Sequence, residues 1–391
     1  MKKILLGAML ALFGTVAHAQ DVPLAAFRLT PNAAIQGFKM QHQTGVSPAQ
    51  CAATCGDAAH IGWCRSFDYN RASQQCDLSD KRASDVGGLK PDYPGNPSDH
   101  YSLSQAINAA APALGNRHVL VIGIDGLRGD AVRCASCANP PTLIALINGG
   151  AFHGNMLAGG SQATLSGPGW ASNFTGFWAA DHGVTSNDVS QSLKKPHVFD
   201  LIKQAYPSAT TAVVADWENL TKGLLPTKAD LVVRNDAKNS QQATDTVKTW
   251  LSKSNAPTAI FYYLHNVDIH ACCYDPANAY YQGKILAEDA QIKQVLNALV
   301  ARPTYANEHW LIAVVSDHGG LNNNHGGQSA SERDALFILN DTYGKSGAKP
   351  YCKGDFTSQP MTQVDGLTPH VLDFLGLPNA TKGHKLSDCG S

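Results

Sequence analysis

Four residues, Ser316-Asp317-His318-Gly319, follow directly on the apolar run Trp310-Leu311-Ile312-Ala313-Val314-Val315. They put a carboxylate and an imidazole side by side where a buried strand is expected to end. Hard oxygen and borderline nitrogen donors presented together suit Zn²⁺ or a similar divalent ion. An ordinary polar turn after a strand has the same composition, so the tetrad alone does not decide. A second strand ends the same way: Val119-Leu120-Val121-Ile122-Gly123-Ile124 runs into Asp125-Gly126. Two carboxylate-tipped apolar strands, far apart in the chain, fit metal ligands converging at the C-terminal edge of one parallel sheet. Open α/β sheets place their ligands at such edges.

Between the two tips lies Thr164-Leu165-Ser166-Gly167-Pro168-Gly169-Trp170. Small residues at such a turn let the backbone approach an anion. A hydroxyl at a helix start gains from the dipole and from unpaired amide donors. Serine at that place also serves as a simple N-cap. Its company favours the nucleophile, because ligation to a divalent metal stabilises the alkoxide that a serine hydroxyl otherwise does not form.

The elements that must position these groups alternate from Arg117 onward. Strands are expected at 119–124, 211–215, 259–264, 311–315 and 335–339, and helices at 141–147, 197–205, 240–252 and 277–301. Alternation of this kind predicts an α/β fold, a mostly parallel central sheet covered by helices on both faces.

Residues 1–19 read as a secretory signal peptide: Met1-Lys2-Lys3 is basic, Ile4 to Val16 apolar, and Ala17-His18-Ala19 a small-x-small cleavage site. The short basic start is bacterial in type, so the destination is periplasmic or secreted. No other segment approaches the roughly 18 uninterrupted apolar residues of a membrane span. Ten cysteines behind such a signal are expected mostly as disulfides. A net charge of -1 argues against a broad nucleic-acid-binding surface.

Residues 20–104 form a small module carrying Cys51, Cys55, Cys64 and Cys76, with residues 105–116 as linker and 117–391 as the metal-dependent domain. Ser47 is placed to cap a helix with Cys51 and Cys55 on one face. The segment from Cys64 to Tyr69 alternates like a strand, and Gln75 to Leu78 reads as its hairpin partner. So small a module has a thin core that staples must supplement.

The pattern Cys-x3-Cys-x8-Cys-x-Ser-Phe-x-Tyr-x6-Cys-x-Leu, closed by His100-Tyr101, resembles a PAN/apple domain. That resemblance implies a nested pairing, Cys51 with Cys76 and Cys55 with Cys64, and a carbohydrate or protein ligand. Further on, Asp125-Gly126, Ser166-x-Pro168, Thr175-Gly176, His182-Gly183, Asn187, Val267-Asp268, Ser316-Asp317-His318-Gly319 and His325-Gly326 stand in an order similar to the alkaline phosphatase superfamily. The spacing is most like its nucleotide pyrophosphatase/phosphodiesterase branch, and residues 363–376 resemble that group's closing helix.

This resemblance implies an alkaline-phosphatase-like sandwich and two divalent metal ions, for which Zn²⁺ is the best match. Asp125, Ser166, Asp317 and His318 would hold one; Asp268, a nearby histidine and His325 the other. Ser166 would attack phosphorus and form a covalent intermediate. The family's phosphate-holding asparagine, 21 positions beyond the nucleophile, falls on Asn187 and favours Ser166 over Thr164. The Gly167 amide would share the oxyanion with Asn187.

One departure concerns the second ion. The family reads Asp-x-x-Gly-His, whereas Asp268 is followed by Ile269-His270-Ala271-Cys272-Cys273. His270, two residues on, is preferred as the ligand over a Cys272 thiolate. Cys272 and Cys273 are expected to bridge distant partners such as Cys352 or Cys389, since adjacent cysteines bridge poorly. Cys134 and Cys137 are candidates for a local pair.

A sulfatase of the same scaffold resembles Cys/Ser-x-Pro-x-Arg at the nucleophile, where this chain has Trp170. A phosphomonoesterase needs extra cations for a dianionic phosphate, and only Arg128, Lys194 and Lys195 offer themselves. A small-molecule phosphodiester is therefore the expected substrate. The alternatives are a phosphomonoesterase, or a surface binding protein whose hydrolase domain is broken at Cys272.

Overall fold

The computed structural model describes residues 24, 27–56, 60, 63–91, 97–103, 114–224, 229–235, 239–269, 273–387 and 389. The segment expected as a signal peptide, most of the expected linker, and both His270 and Cys272 lie outside the described residues. The chain divides into two compact units, Met1–Ala110 and Ala111–Ser391.

In the first unit five strands form an antiparallel sheet, in the order Phe27–Thr30, Ser98–Leu103, Ser66–Asn70, Gln75–Ser79, Gln41–Thr44. The helix Pro48–Gly56 starts behind Ser47, whose Oγ accepts from the Gln50 amide at 3.3 Å. Its buried cysteines tie it to the hairpin through Cys51–Cys76 and Cys55–Cys64, the nested pairing. Phe67 and Tyr101 stack with ring centroids 4.6 Å apart in a small core with Phe27 and Leu78.

The second unit is built on an eight-stranded sheet, in the order Leu231–Arg234, Thr211–Ala215, Ala259–Leu264, Arg117–Ile124, His309–Val315, Asp334–Asn340, Ala151–Leu157, Gly354–Asp355. Only Asp334–Asn340 runs antiparallel to its neighbours. Period-two alternation divides the strands between two cores. Val119, Val121, Phe261, Tyr263, Leu311 and Ala313 face the helices Ser166–Thr175, Val198–Ala205 and Leu367–Phe374. Leu120, Ile122, Ile260, Tyr262, Ile312 and Val314 face Pro141–Gly149, Ser240–Leu251 and Ala279–Val300. Strands buried on both faces are continuously apolar, which is why these were readable from sequence.

Two further disulfides are Cys134–Cys137 and Cys352–Cys389. The second corrects the expectation that Cys352 or Cys389 would bridge to Cys272 or Cys273. Beyond the helix Leu367–Phe374 the chain returns to bring the two Cα atoms 4.5 Å apart, within disulfide reach. Cys273 is itself disulfide-bonded.

The fold's consequence for chemistry lies at one edge. Thr211–Ala215, Ala259–Leu264, Arg117–Ile124 and His309–Val315 are adjacent and mutually parallel. Their C-terminal ends therefore deliver Asp216, His265, Asp125 and Ser316-Asp317 in a row.

Candidate active site

Asp125 sits at the tip of the central strand with each carboxylate oxygen differently engaged. Its Oδ2 accepts from the Trp170 indole at 3.0 Å and from the Tyr263 hydroxyl at 2.6 Å. Its Oδ1 faces Ser166, whose Oγ donates to it at 3.4 Å. The same Oγ lies 3.2 Å from His318 Nε2. Ser166 is buried as the first residue of the ten-residue helix Ser166–Thr175, where the positive end of the helix dipole favours an anion.

Asp317 and His318 come from the neighbouring tip. His318 Nε2 stands 3.5 Å from Asp125 Oδ1 and 3.3 Å from Asp317 Oδ2. The Gly126 amide donates to Asp317 Oδ1 at 3.1 Å, while Asp317 Oδ2 is buried with no hydrogen-bond partner. Burial, then the charges of Asp125 and Asp268, push the Asp317 carboxyl well above the usual carboxylate range.

Asp268 lies in the short helix Asn266–Ile269 and packs over Gly126. Gly126 has φ +67, and a Cβ there would stand 2.8 Å from Asp268 Oδ1, so both backbone and contact require glycine. Tyr274 donates its hydroxyl to the same Oδ1. His325 Nε2 lies 3.7 Å from Asp268 Oδ1, and the His318 and His325 rings stack with centroids 3.9 Å apart. Burial opposes the Asp268 charge, yet His265, His318, Tyr274 and His325 hold its carboxyl below the ordinary range.

The site thus brings together Asp125, Ser166, Asp268, Asp317, His318 and His325 of the expected set. Their donor atoms fall into groups whose members lie within 4.8 Å of one another: Asp125, Asp317 and His318; Asp268, His318 and His325; and Asp125, His265 and Asp268. An orphaned buried carboxylate oxygen among three carboxylates, with only histidines as ion-pair partners among the described residues, fits divalent cations. His270, expected in the second group, lies outside the described residues.

Asn187 is exposed, and its Oδ1 accepts from the Gly167 amide at 2.7 Å. That amide therefore orients Asn187 in this structure, where the sequence suggested both would face the oxyanion. A Cβ on Gly167 would stand 2.1 Å from the Ser186 carbonyl, so the close approach of this loop depends on glycine. Thr164 is otherwise occupied. Its Oγ1 donates to the Gly327 carbonyl at 2.8 Å and accepts from the Gly326 amide at 3.0 Å.

Two residues at this edge escaped sequence reasoning. His265, directly after Leu264, places Nε2 3.7 Å from Asp268 Oδ2 and Nδ1 3.1 Å from Asp216 Oδ1. Asp216 directly follows Ala215. Both obey the rule that exposed Asp125 and Asp317, a polar residue ending an apolar strand. Burial opposes the His265 charge, but Asp216 and Asp268 push its pKa up to about 10.

Comparison with known proteins agrees with this geometry. Residues 119–331 match the type I phosphodiesterase / nucleotide pyrophosphatase family, and residues 25–105 match the PAN domain. None of the curated proteins matches the chain. Among solved structures, a 2-O GAG sulfatase is 15% identical, with TM-score 0.54 over 70% of this chain and 73% of the other. Murine ectonucleotide pyrophosphatase / phosphodiesterase 5, in an inactive form with AMP, is 13% identical, with TM-score 0.52 over 70% and 97%. The phosphonate monoester hydrolase of Agrobacterium radiobacter is 16% identical, with TM-score 0.53 over 69% and 76%. At such identities the likeness is one of fold. The family match covers more than half of the sequence and includes every strand tip described above, and on that ground the chain belongs to the type I phosphodiesterase / nucleotide pyrophosphatase family of phosphoester hydrolases, with a PAN domain ahead of its hydrolase domain.

Proposed function

We propose that this protein hydrolyses small-molecule phosphodiesters through a covalent phosphoserine at Ser166, at a centre for two divalent ions, Zn²⁺ by preference. The observation that carries the reading is the Ser166 hydroxyl, which stands at a helix N-terminus within reach of both Asp125 Oδ1 and His318 Nε2. Asp125, Ser166, Asp317 and His318 would hold one ion, and Asp268 and His325 the other with a further histidine. Such ions, when bound, supply Lewis-acid charge at the phosphoryl oxygens and favour the serine alkoxide.

The chain's own groups do the rest. Ser166 Oγ forms a bond to phosphorus as the ester P–O bond breaks and the departing alkoxide takes up a proton. Water then attacks the phosphoserine, releasing the phosphoryl product and restoring the hydroxyl. Nδ1–H of His318 donates to the Gly319 carbonyl at 2.7 Å, which leaves the Nε2 lone pair facing the serine. The side-chain amide of Asn187, oriented by the Gly167 amide, would meet a phosphoryl oxygen.

A diester is favoured over a monoester because, of the three cations the sequence offers, Arg128 and Lys195 are engaged elsewhere and Lys194 is exposed to solvent. The Arg128 guanidinium bonds Asp130 and the carbonyls of Tyr274 and Gly320, and Lys195 lies 4.8 Å over the Phe177 ring. A dianionic phosphate would find little charge compensation beyond the metals. The paired cysteines and the PAN domain support a periplasmic or secreted protein, and a carbohydrate or protein ligand for the N-terminal unit. No described helix is long and apolar enough to cross a membrane.

Turnover of bis-p-nitrophenyl phosphate against p-nitrophenyl phosphate tests the reading on the purified, zinc-loaded chain. The diester should have the higher kcat/KM, and Ser166→Ala should lower it by at least about 10³-fold with the circular dichroism melt unchanged. Full activity in Ser166→Ala would remove the serine from the mechanism.

A further inference from the structure

We infer that His265, held by Asp216, is the histidine ligand of the second metal ion, taking the place of the residue that the family carries four positions after its aspartate. The inference rests on the two-ion reading above and names a ligand which that reading left open. In this chain the fourth position after Asp268 is Cys272, so a histidine donor must come from elsewhere.

The three histidines at the sheet edge share one arrangement. His318 engages the Gly319 carbonyl through Nδ1, and His325 engages the Thr164 carbonyl through Nδ1 at 2.9 Å. His265 engages Asp216 Oδ1 through Nδ1 at 3.1 Å. In each case Nε2 is turned to the carboxylate cluster, and a Nδ1–H bond to an acceptor fixes the tautomer that offers Nε2 as a ligand. An imidazole backed by a carboxylate is a recurrent way to orient a metal ligand.

The spacing agrees. Asp268 has one imidazole at each oxygen: His325 Nε2 at 3.7 Å from Oδ1 and His265 Nε2 at 3.7 Å from Oδ2. Donor atoms bound tetrahedrally at about 2.0 Å stand about 3.3 Å apart, so each imidazole is within a few tenths of an ångström of that spacing from its own Asp268 oxygen, and the carboxylate must turn or use both oxygens for His265 and His325 to share one ion. The donor atoms of Asp125, His265 and Asp268 already lie within 4.8 Å of one another.

The backbone explains why His265 arrives there. It follows the last residue of Ala259–Leu264, whose register pairs Leu264 with Ile124, so His265 emerges beside Asp125. The Asp268 amide bonds the His265 carbonyl at 3.1 Å, turning the chain so that residues three apart share a side. The ligand pair is then His-x-x-Asp on the strand side of the aspartate. A ligand after the aspartate is not required. Asp216 comes from the adjacent parallel strand, Thr211–Ala215.

The test is metal stoichiometry of the full chain by mass spectrometry, with the metal-dependent rise in melting temperature as a second readout. The wild type and His270→Ala should each bind about two zinc ions per chain, and His265→Gln about one. Asp216→Asn should keep both ions but bind the weaker one about 10–100-fold less tightly. If His265→Gln does not fold, Asp216→Asn and His270→Ala still decide. Loss of an ion in His270→Ala, or unaltered affinity in Asp216→Asn, overturns the assignment. Two ions of wild-type affinity in folded His265→Gln overturn it alone, whereas a wild type holding one ion or none overturns the two-ion reading with it.

Discussion

Asp125 shows how single residues here divide their labour. One oxygen accepts from Trp170 and Tyr263, and the other is left to Ser166 and His318. Both donors are neutral and fully buried, so they fix the carboxylate without adding charge to a site already crowded with it. Trp170 stands where the sulfatase pattern has arginine, and its indole supplies a directed donor in place of a cation. Tyr263→Phe removes one hydroxyl with almost no change of shape. It should lower diester kcat/KM or zinc affinity about 10–100-fold, as expected for groups that orient a metal ligand. Steady-state kinetics and a zinc titration measure it, and wild-type values in both would show that the Trp170 indole suffices alone.

At the scale of elements, the strands were legible because burial on both faces makes them continuously apolar. Thr211–Ala215 and Ala259–Leu264 fall at the expected limits, and Arg117–Ile124, His309–Val315 and Asp334–Asn340 extend the expected strands. The strand Ala151–Leu157 was not legible, since His153, Gly154 and Asn155 interrupt its pattern and pairing with Asp334–Asn340 supplies its order. Asp125 and Asp317 could be picked out because glycine and histidine beside them mark a tight functional turn. Asp216 and His265 become neighbours only through strand order, which local sequence does not encode. Strand entry is fixed as firmly as strand exit. The Glu308 carboxylate, just before His309, accepts from Arg302 at 2.7 and 2.8 Å, from Thr304 at 2.6 Å and from Trp310 at 2.8 Å. Arg302 in turn bonds the carbonyls of Leu251 and Lys253, clasping two helix ends to the strand. Burial would raise the Glu308 pKa, but these donors outweigh it and lower the value from 4.5 to about 2. A depressed folded pKa means that the stabilisation is complete above the unfolded value and fades as pH falls toward the folded one. Glu308→Gln, which leaves Arg302 without its carboxylate, should cost about 3–5 kcal/mol near neutral pH. In urea titrations the gap from wild type should narrow from about pH 4.5 down to about 2; a gap independent of pH would assign the loss to packing.

Across the whole molecule, each unit carries its own core and its own staples, and every strand-tip residue of the site belongs to the second unit. The first unit depends on its disulfides most, because its core is far smaller than the two that line the large sheet. Cys51–Cys76 closes a sequence separation of 25 residues, and a loop of that size contributes about 3–4 kcal/mol by restricting the unfolded chain. Such a term is a large share of the stability of a domain this small. The double variant Cys51→Ser, Cys76→Ser should therefore lower or abolish the calorimetric transition of the first unit and leave that of the second in place. Turnover of bis-p-nitrophenyl phosphate should then stay within about twofold of wild type, since a small diester needs only groups that the second unit supplies. Substrates that the PAN domain helps to capture would behave differently, with KM rising while kcat holds. Collapse of small-diester turnover together with the first transition would mean that the N-terminal unit completes the catalytic centre.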